Sequence, residues 1–239
     1  MIDTEELSAL LLSNVNLRVV EPHIYSVYPE GEQTNIYDKT GAIYDLVACN
    51  RLYNRFVWGY WIAEYASFCQ DALTSSVDGW VLDVACGSLA FSARTYDRYS
   101  ERSIVLLDQS VRLLQMVKSR LIKLHGSVPD NMVFLHGNAL QLPFNPKSFK
   151  TVILLNLLHV LENVKRVLHE LENVLADEGT IHLTTLIKNN RLADRYLDLL
   201  GRVGLVVPRN PDQLLAVFDE LEISAKHYIK GNLMFINSS

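Results

Sequence analysis

The feature that most constrains the fold is a series of apolar runs of strand length, which alternate with segments of helical periodicity from residue 80 onward. The runs are WVLDV (80–84), SIVLLD (103–108), MVFLHG (132–137), TVILLN (151–156) and TIHLTTL (180–186). They are continuous rather than alternating, which is typical of parallel strands buried on both faces. Strands that alternate with helices predict right-handed crossovers and an open, doubly wound α/β sheet.

The two ends of the chain differ from this pattern. After a helix near residues 211–220, LEISAKHYI and GNLMFIN read as two strands joined only by KG. So short a connection makes a hairpin, and one of the last strands is therefore antiparallel. Residues 1–75 are mostly helical, with a short helix at 5–14 and an aromatic helical pattern at 36–73, and we expect them to start outside the sheet. The sequence therefore predicts an N-terminal segment (1–75) and an α/β domain (76–239).

Composition narrows the class of protein. The net charge is −5 and the pI about 5.8, which makes nucleic acid and anionic lipid poor partners. Cys49, Cys69 and Cys86 cannot all pair with one another and lack metal-ligand spacing, which fits a reducing compartment. The N-terminus has no basic region of a secretory signal, and the longest apolar run is too short for a bilayer. We expect a soluble cytoplasmic protein, a monomer or homodimer, without nucleic-acid or membrane partners.

The loop VACGSLAF after the first strand is the main candidate for a ligand site. In a doubly wound sheet, ligands bind beyond the carboxyl ends of the strands, where the strand order reverses. Asp83 ends the first strand, and Gly87 supplies backbone freedom before a helix that begins near Ala90. Asp108 ends the second strand, where a carboxylate can accept hydrogen bonds from ribose hydroxyls. The structural alternatives are a turn cap at Asp83 and an N-cap at Asp108 for the helix after Ser110.

Two further strands also end in polar residues at the carboxyl edge of the predicted sheet, which we call the rim. Asn138 follows the third strand, and its amide can both donate to and accept from an adenine edge. The fourth strand runs into NLLHV, which brings Asn156, Leu157 and His159 to the rim. His159 is a candidate general base, with a packing or capping residue as the alternative.

These segments together resemble the class I S-adenosylmethionine-dependent methyltransferases, of the small-molecule kind typified by quinone-biosynthesis enzymes. The resemblance rests on VLDVACGS, IVLLDQS, HGNALQLPFNPKSFKTVILLNLLHVLEN and LADEGTIHLTTL, and it covers the chain from Tyr37 to the C-terminus. It implies a Rossmann-like, mostly parallel sheet of seven strands in the order 3-2-1-4-5-7-6, with the last strand antiparallel. It also implies that residues 1–75 form a helical lid over cofactor and substrate.

The resemblance implies S-adenosylmethionine as cofactor, S-adenosylhomocysteine as product and no metal. With the loops above, it gives a set of cofactor-binding residues. The set is Tyr37, Tyr44, Asp83, Ala85, Cys86, Gly87, Ser88, Asp108, Gln109, Asn138, Ala139, Asn156 and Leu157.

The sequence departs from the family pattern at a few positions. The first motif of the family reads acid-x-Gly-x-Gly-x-Gly, and here Ala85 and Leu89 replace the outer glycines. The Leu89 side chain must point away from the ligand or crowd its methionine end. Asn138 stands where aspartate is common, and Lys150 replaces the aspartate usual after SF.

The sequence therefore predicts methyl transfer by in-line displacement to a small aromatic or lipophilic acceptor, through O, N or C. The alternative is a methyltransferase-like protein that binds the cofactor but catalyses another reaction, such as cyclisation, or acts as a scaffold. A nicotinamide oxidoreductase is disfavoured because ACGSLAF lacks Gly-x-Gly-x-x-Gly. A nucleic-acid amino methyltransferase is disfavoured because NLLH replaces its Asn/Asp-Pro-Pro-aromatic motif.

Overall fold

The computed structural model describes residues 2, 4–29, 50–76, 78–99 and 102–238, and within them the chain forms one mixed sheet with helices on both faces. The strands are β1 (Arg18–Glu21), β2 (Ile24–Ser26), β3 (Trp80–Val84), β4 (Ile104–Asp108), β5 (Met132–His136), β6 (Phe149–Leu155), β7 (Leu175–Leu186), β8 (Ala225–Lys230) and β9 (Leu233–Ser238). The helices are α1 (Thr4–Leu10), α2 (Ile62–Thr74), α3 (Ala93–Asp97), α4 (Val111–His125), α5 (Val164–Val174), α6 (Ala193–Arg202) and α7 (Pro211–Glu220).

The strand order is β1-β2-β5-β4-β3-β6-β7-β9-β8. From β5 to β8 this is the predicted order 3-2-1-4-5-7-6, with β9 antiparallel to both of its neighbours. The prediction of a doubly wound α/β fold is therefore confirmed. The order reverses between β3 and β6, so a crevice for a ligand is expected beyond the carboxyl end of β3.

The predicted number of seven strands was wrong. β1 and β2 form an N-terminal hairpin, and β2 pairs in parallel with β5, so the sheet of the described residues has nine strands. The N-terminal segment therefore contributes two strands to the sheet rather than lying wholly outside it. Residues 30–49, which hold Tyr37 and Tyr44, lie outside the described residues, so the helical lid and the boundary at residue 75 stay predictions.

Three apolar clusters hold the helices to the sheet. The first packs α1, α5 and α7 against one face, and the second packs α2, α3 and α4 against the other. The third contains Trp58, Phe68 and Phe235 with Leu197 of α6. A short helical turn (Arg51–Tyr53) and a π-helical segment (Asn54–Trp58) lead into it. No helix of the described residues is long and apolar enough to cross a membrane.

Candidate functional site

Two buried carboxylates lie on the same face of the sheet at the carboxyl ends of β3 and β4. Side chains alternate along a strand, so Asp83 of β3 and Asp108 of β4 both face the second cluster, beside α3 and α4. Their exposed fractions are only 1% and 5%. Burial of two carboxylates at one crevice is costly unless each has partners or loses its charge.

Asp83 has one side-chain hydrogen-bond partner and a raised pKa. Its Oδ2 accepts a hydrogen bond of 2.6 Å from the Tyr96 hydroxyl of α3. Its Oδ1 is buried and has no hydrogen-bond partner among the described residues. Burial raises the pKa of Asp83 to about 7, with the charge of Asp108 raising it further and the Tyr96 hydroxyl lowering it. The site therefore contains a carboxyl group that changes charge near neutral pH and has one oxygen to offer.

Asp108 is held by backbone groups instead. Its Oδ2 accepts from the Gly87 amide at 2.9 Å, and its Oδ1 accepts from the Ser110 amide at 2.9 Å. The Ser110 hydroxyl in turn caps α4 by accepting from the amide of Leu113. Asp108 thus connects the loop after β3 with the start of α4. The sequence left two roles open for Asp108: binding of ribose hydroxyls, or capping of the following helix. This geometry allows both, because each carboxylate oxygen can accept more than one hydrogen bond.

The loop after β3 has the backbone of a glycine-rich loop although it contains one glycine. Ala85, Gly87 and Leu89 all have positive φ angles of 55°, 61° and 50°. A Cβ added at Gly87 would have nothing within 4 Å, so the main chain there borders open space. Leu89 points away from that space: its side chain is 4% exposed and packs with Tyr96 and Ala93 in the second cluster. The leucine therefore does not crowd the crevice.

Other predicted residues of this loop are placed beside it. Cys86 is half-buried, and burial together with Asp108 and Asp83 raises the pKa of its thiol well above the usual value, so it stays a neutral thiol. Ser88 is buried, and its carbonyl accepts from the Arg120 guanidinium. Gln109 is exposed next to Asp108.

The adjoining strand ends carry the remaining predicted residues. The Asn138 Oδ1 accepts from the Leu140 amide in a turn, and Ala139 packs on the first cluster. Asn156 has a φ angle of 61°, and its backbone N–H donates to the Thr184 carbonyl at 2.8 Å. Leu157 also packs on the first cluster, so the rim at β6 is half apolar.

His159 is not brought together with the carboxylates. Its Nδ1 accepts from the Leu186 amide at 3.4 Å and lies 3.3 Å from the Thr185 hydroxyl. By strand alternation, Thr185 shares the side of Leu183, which packs on the first cluster, opposite Asp83. Burial, with the nearby charge of Arg209, lowers the pKa of His159 to about 4.

Sequence reasoning missed a cluster at the carboxyl end of β5. The His136 Nε2 donates to the Gln109 carbonyl at 3.2 Å, and its Nδ1 lies 3.0 Å from the Ser26 hydroxyl. The Tyr28 ring packs edge-on against the His136 ring, with 4.8 Å between centroids, and its hydroxyl is buried without a partner among the described residues. These residues are far apart in the sequence, and only the pairing of β2 with β5 brings them together.

The comparisons with known proteins agree with this geometry. Residues 81–179 match a family model described as a methyltransferase domain, and they include most of β3, its loop, Asp108 and β6. This segment of the chain is therefore similar to methyltransferase domains. No curated protein sequence matches the chain.

Solved structures similar to the chain share the methyltransferase fold at low sequence identity. YcgJ of Bacillus subtilis is 19% identical with a TM-score of 0.56, over 69% of this chain and 71% of that one. Geranyl diphosphate C-methyltransferase of Streptomyces coelicolor, solved with S-adenosyl-L-homocysteine, is 11% identical with a TM-score of 0.59, over 74% of each chain. A Methanococcus maripaludis protein assigned to the S-adenosylmethionine-dependent methyltransferases is 15% identical with a TM-score of 0.58, over 89% and 97%.

The similar Streptomyces coelicolor enzyme was solved with S-adenosyl-L-homocysteine, and the chemistry of the residues at this crevice fits a ligand of that kind. The unpartnered Asp83 oxygen suits an ammonium group, which the amino-acid end of the cofactor supplies. Asp108 suits hydroxyl donors, and the open space at Gly87 lets a ligand lie against the main chain. Among the described residues, no group of three or more His, Cys, Asp or Glu side chains could hold a metal ion.

The strained loop after β3 gives a first prediction. A non-glycine residue in the left-handed region costs about 1–2 kcal/mol, so Ala85→Gly is expected to stabilise the protein by up to about 1 kcal/mol. Leu89→Ala is expected to destabilise it by about 2–5 kcal/mol, because it empties a buried site. Urea unfolding of both variants measures these changes. A loss of stability in Ala85→Gly, or none in Leu89→Ala, would contradict the account of the loop.

Proposed function

We propose that the protein transfers the methyl group of S-adenosylmethionine to a small aromatic or lipophilic metabolite. The observation that carries the proposal is the pair of buried carboxylates, Asp83 and Asp108, on either side of the loop at Gly87. This pair lies at the switch point of the sheet and inside the matched methyltransferase domain.

The cofactor would be held by groups of unlike character. Asp108 would accept hydrogen bonds from the ribose hydroxyls while it keeps the Gly87 and Ser110 amides. Asp83 would receive the ammonium group at its unpartnered oxygen, which favours the ionised carboxylate. His136 ends β5 and Tyr28 follows the end of β2, and both would border the adenine side, next to Asn138. Tyr37 and Tyr44 stay proposed contacts from outside the described residues.

Methyl transfer mainly requires that the nucleophile, methyl group and sulfur be held in line and that water be excluded. The sulfonium supplies an activated methyl group, which an in-line nucleophile takes as the thioether leaves. The apolar residues next to the rim, Leu155 and Leu157, favour an acceptor with an apolar body over a fully hydrated one. We expect His159 to pack the rim rather than to accept the proton, because its Nδ1 already accepts from the Leu186 amide.

The decisive experiment is calorimetric titration of the purified protein with S-adenosylmethionine and S-adenosylhomocysteine between pH 6 and pH 8. Because the Asp83 pKa is about 7 in the free protein, the cofactor must displace a proton below that pH. We expect the affinity to fall by up to about tenfold from pH 7 to pH 6. Asp83→Asn removes this dependence and weakens binding at pH 8.

The matched control is Asp130→Asn, an exposed acid away from the loop, which should leave the affinity unchanged. A panel of aromatic hydroxyl and amino compounds and isoprenoid alcohols, assayed with methyl-labelled cofactor, then tests the acceptor class. Binding of the cofactor with transfer to none of these would reject the acceptor class and favour a non-methylating role. Absence of binding in the folded protein would reject the proposal altogether.

A further inference from the structure

Helix α6 carries apolar side chains on two neighbouring sides, and among the described residues only one side packs into an apolar cluster. The residues that pack into the third cluster are Ala193, Leu197 and Leu200. The large apolar residues that face solvent are Leu192, Tyr196, Leu199 and Val203. Their spacing of four, three and four residues forms one stripe along the helix and its ends. Leu192 is 83% exposed, so this stripe is not part of the core.

The helical segment before α2 extends the same face. The Tyr53 hydroxyl donates to the Tyr196 hydroxyl at 3.3 Å, and the Trp58 ring stacks on the Tyr196 ring with 5.6 Å between centroids. Further exposed apolar residues of the two segments are Leu52, Phe56, Trp61 and Leu205. We call residues 51–61 and 188–205 together the amphipathic surface.

The charge of the amphipathic surface is opposite to that of the whole chain. It contains six basic and two acidic side chains, although the chain as a whole has a net charge of −5. Both acids have partners: Asp198 pairs with Lys188 at 2.9 Å, and Asp194 accepts from the backbone amide of Asn189 and from the side chain of Asn232, which lies outside the surface. Arg195 and Arg202 are exposed and lie about a quarter turn from the apolar stripe.

We propose that the amphipathic surface docks onto a lipid bilayer that carries anionic headgroups. An apolar stripe flanked by arginines is the arrangement of helices that lie in the membrane interface, with apolar side chains at the acyl boundary and cations at the phosphates. The same charge disfavours a second copy of the chain in this position, because symmetric pairing would bring two cationic surfaces together. The net acidity of the chain hides this local excess from composition alone.

Docking in this way would bring the carboxyl-end rim of the sheet toward the membrane. The third cluster, which lies under the amphipathic surface, also packs against Phe91, Leu155 and Leu186. Phe91 follows the loop at Gly87, and Leu155 and Leu186 end β6 and β7. The bilayer would therefore lie near the rim where, on the proposed function, a lipophilic acceptor binds.

The test is flotation of the full chain with vesicles of phosphatidylcholine, with and without phosphatidylserine. We expect binding to the phosphatidylserine vesicles that weakens as salt is raised. Leu192→Ser and Leu199→Ser are each expected to lower the partition coefficient by about tenfold. Arg195→Gln with Arg202→Gln should lower it by about thirtyfold on anionic vesicles and little on neutral ones. All four residues are exposed, so circular dichroism should show an unchanged fold.

Val19→Ser and Arg98→Gln are the matched controls, because both residues are exposed and lie outside the amphipathic surface. The proposal is overturned if the wild-type protein does not float, or if the controls weaken flotation as much as the surface variants do. It is also overturned if Leu192→Ser dissociates a dimer in sedimentation while no vesicle binds, which would assign the surface to a second copy. No cofactor or acceptor is added, so failure here leaves the proposed methyl transfer standing.

Discussion

An Asp108→Asn variant is expected to bind S-adenosylmethionine about a hundredfold more weakly than the wild-type protein. Both carboxylate oxygens accept from main-chain amides, at Gly87 and at Ser110. An asparagine has one carbonyl oxygen, so its NH₂ group must face one of these N–H donors. The loop at Gly87 then shifts or keeps an unpaired amide, and the acceptor for the ribose hydroxyls loses its charge. Calorimetric titration at pH 8 measures the loss.

A second variant separates a binding role from a structural one. Ser110→Ala removes the hydroxyl that caps α4 and leaves the Ser110 amide free to donate to Asp108. We expect it to lower the free energy of unfolding by about 1 kcal/mol and to leave the affinity for the cofactor near that of the wild type. If Ser110→Ala weakens the cofactor as much as Asp108→Asn does, the helix start rather than the carboxylate governs binding.

The central fold was predictable because each strand from β3 to β9 is long enough to show its own pattern. β1 and β2 were not predictable, since they have only four and three residues. β2 joins the sheet through a pairing that is distant in the sequence, between Ile24 and Phe134. Strands so short carry too few residues for a period to be recognised. The N-terminal segment therefore looked separate from the sheet although its first strands extend it.

The site was predictable where it depends on strand ends and not where it depends on side-chain direction. Asp83, Gly87 and Asp108 follow directly from the ends of β3 and β4. The inward direction of Leu89 could not be deduced, because a sequence does not state the sign of φ at a non-glycine residue. Tyr96 was also missed as the partner of Asp83, since a tyrosine on the following helix reads as ordinary core.

The pH dependence of folding should report the buried groups directly. Burial lowers the pKa of His159 and of His182 to about 4, while it raises the pKa of Asp83 to about 7. Between pH 4.5 and pH 6, both imidazoles are protonated in the unfolded chain and neither is protonated in the folded protein. The free energy of unfolding contributed by the histidines therefore falls as the pH falls. Over the same pH range, Asp83 is protonated in the folded protein and ionised in the unfolded chain, which opposes the loss of stability caused by the histidines.

Across these three groups, the unfolded chain holds two protons, on the imidazoles, and the folded protein holds one, on Asp83. The unfolded chain therefore binds one more proton than the folded protein. The free energy of unfolding should therefore rise with pH by about 1.4 kcal/mol per unit between pH 4.5 and pH 6. His182→Gln removes one imidazole and should make the dependence nearly flat. Asp83→Asn removes the opposing group and should roughly double the slope.

Urea unfolding followed by circular dichroism at several pH values measures these slopes, and the two variants act as controls for each other because they shift the slope in opposite directions. A wild-type slope of zero or of opposite sign would mean that the imidazoles can be protonated in the folded protein. An unchanged slope in Asp83→Asn would mean that Asp83 is ionised there throughout. Its role as a group that gains charge near neutral pH, and with it the expected pH dependence of cofactor binding, would then be wrong.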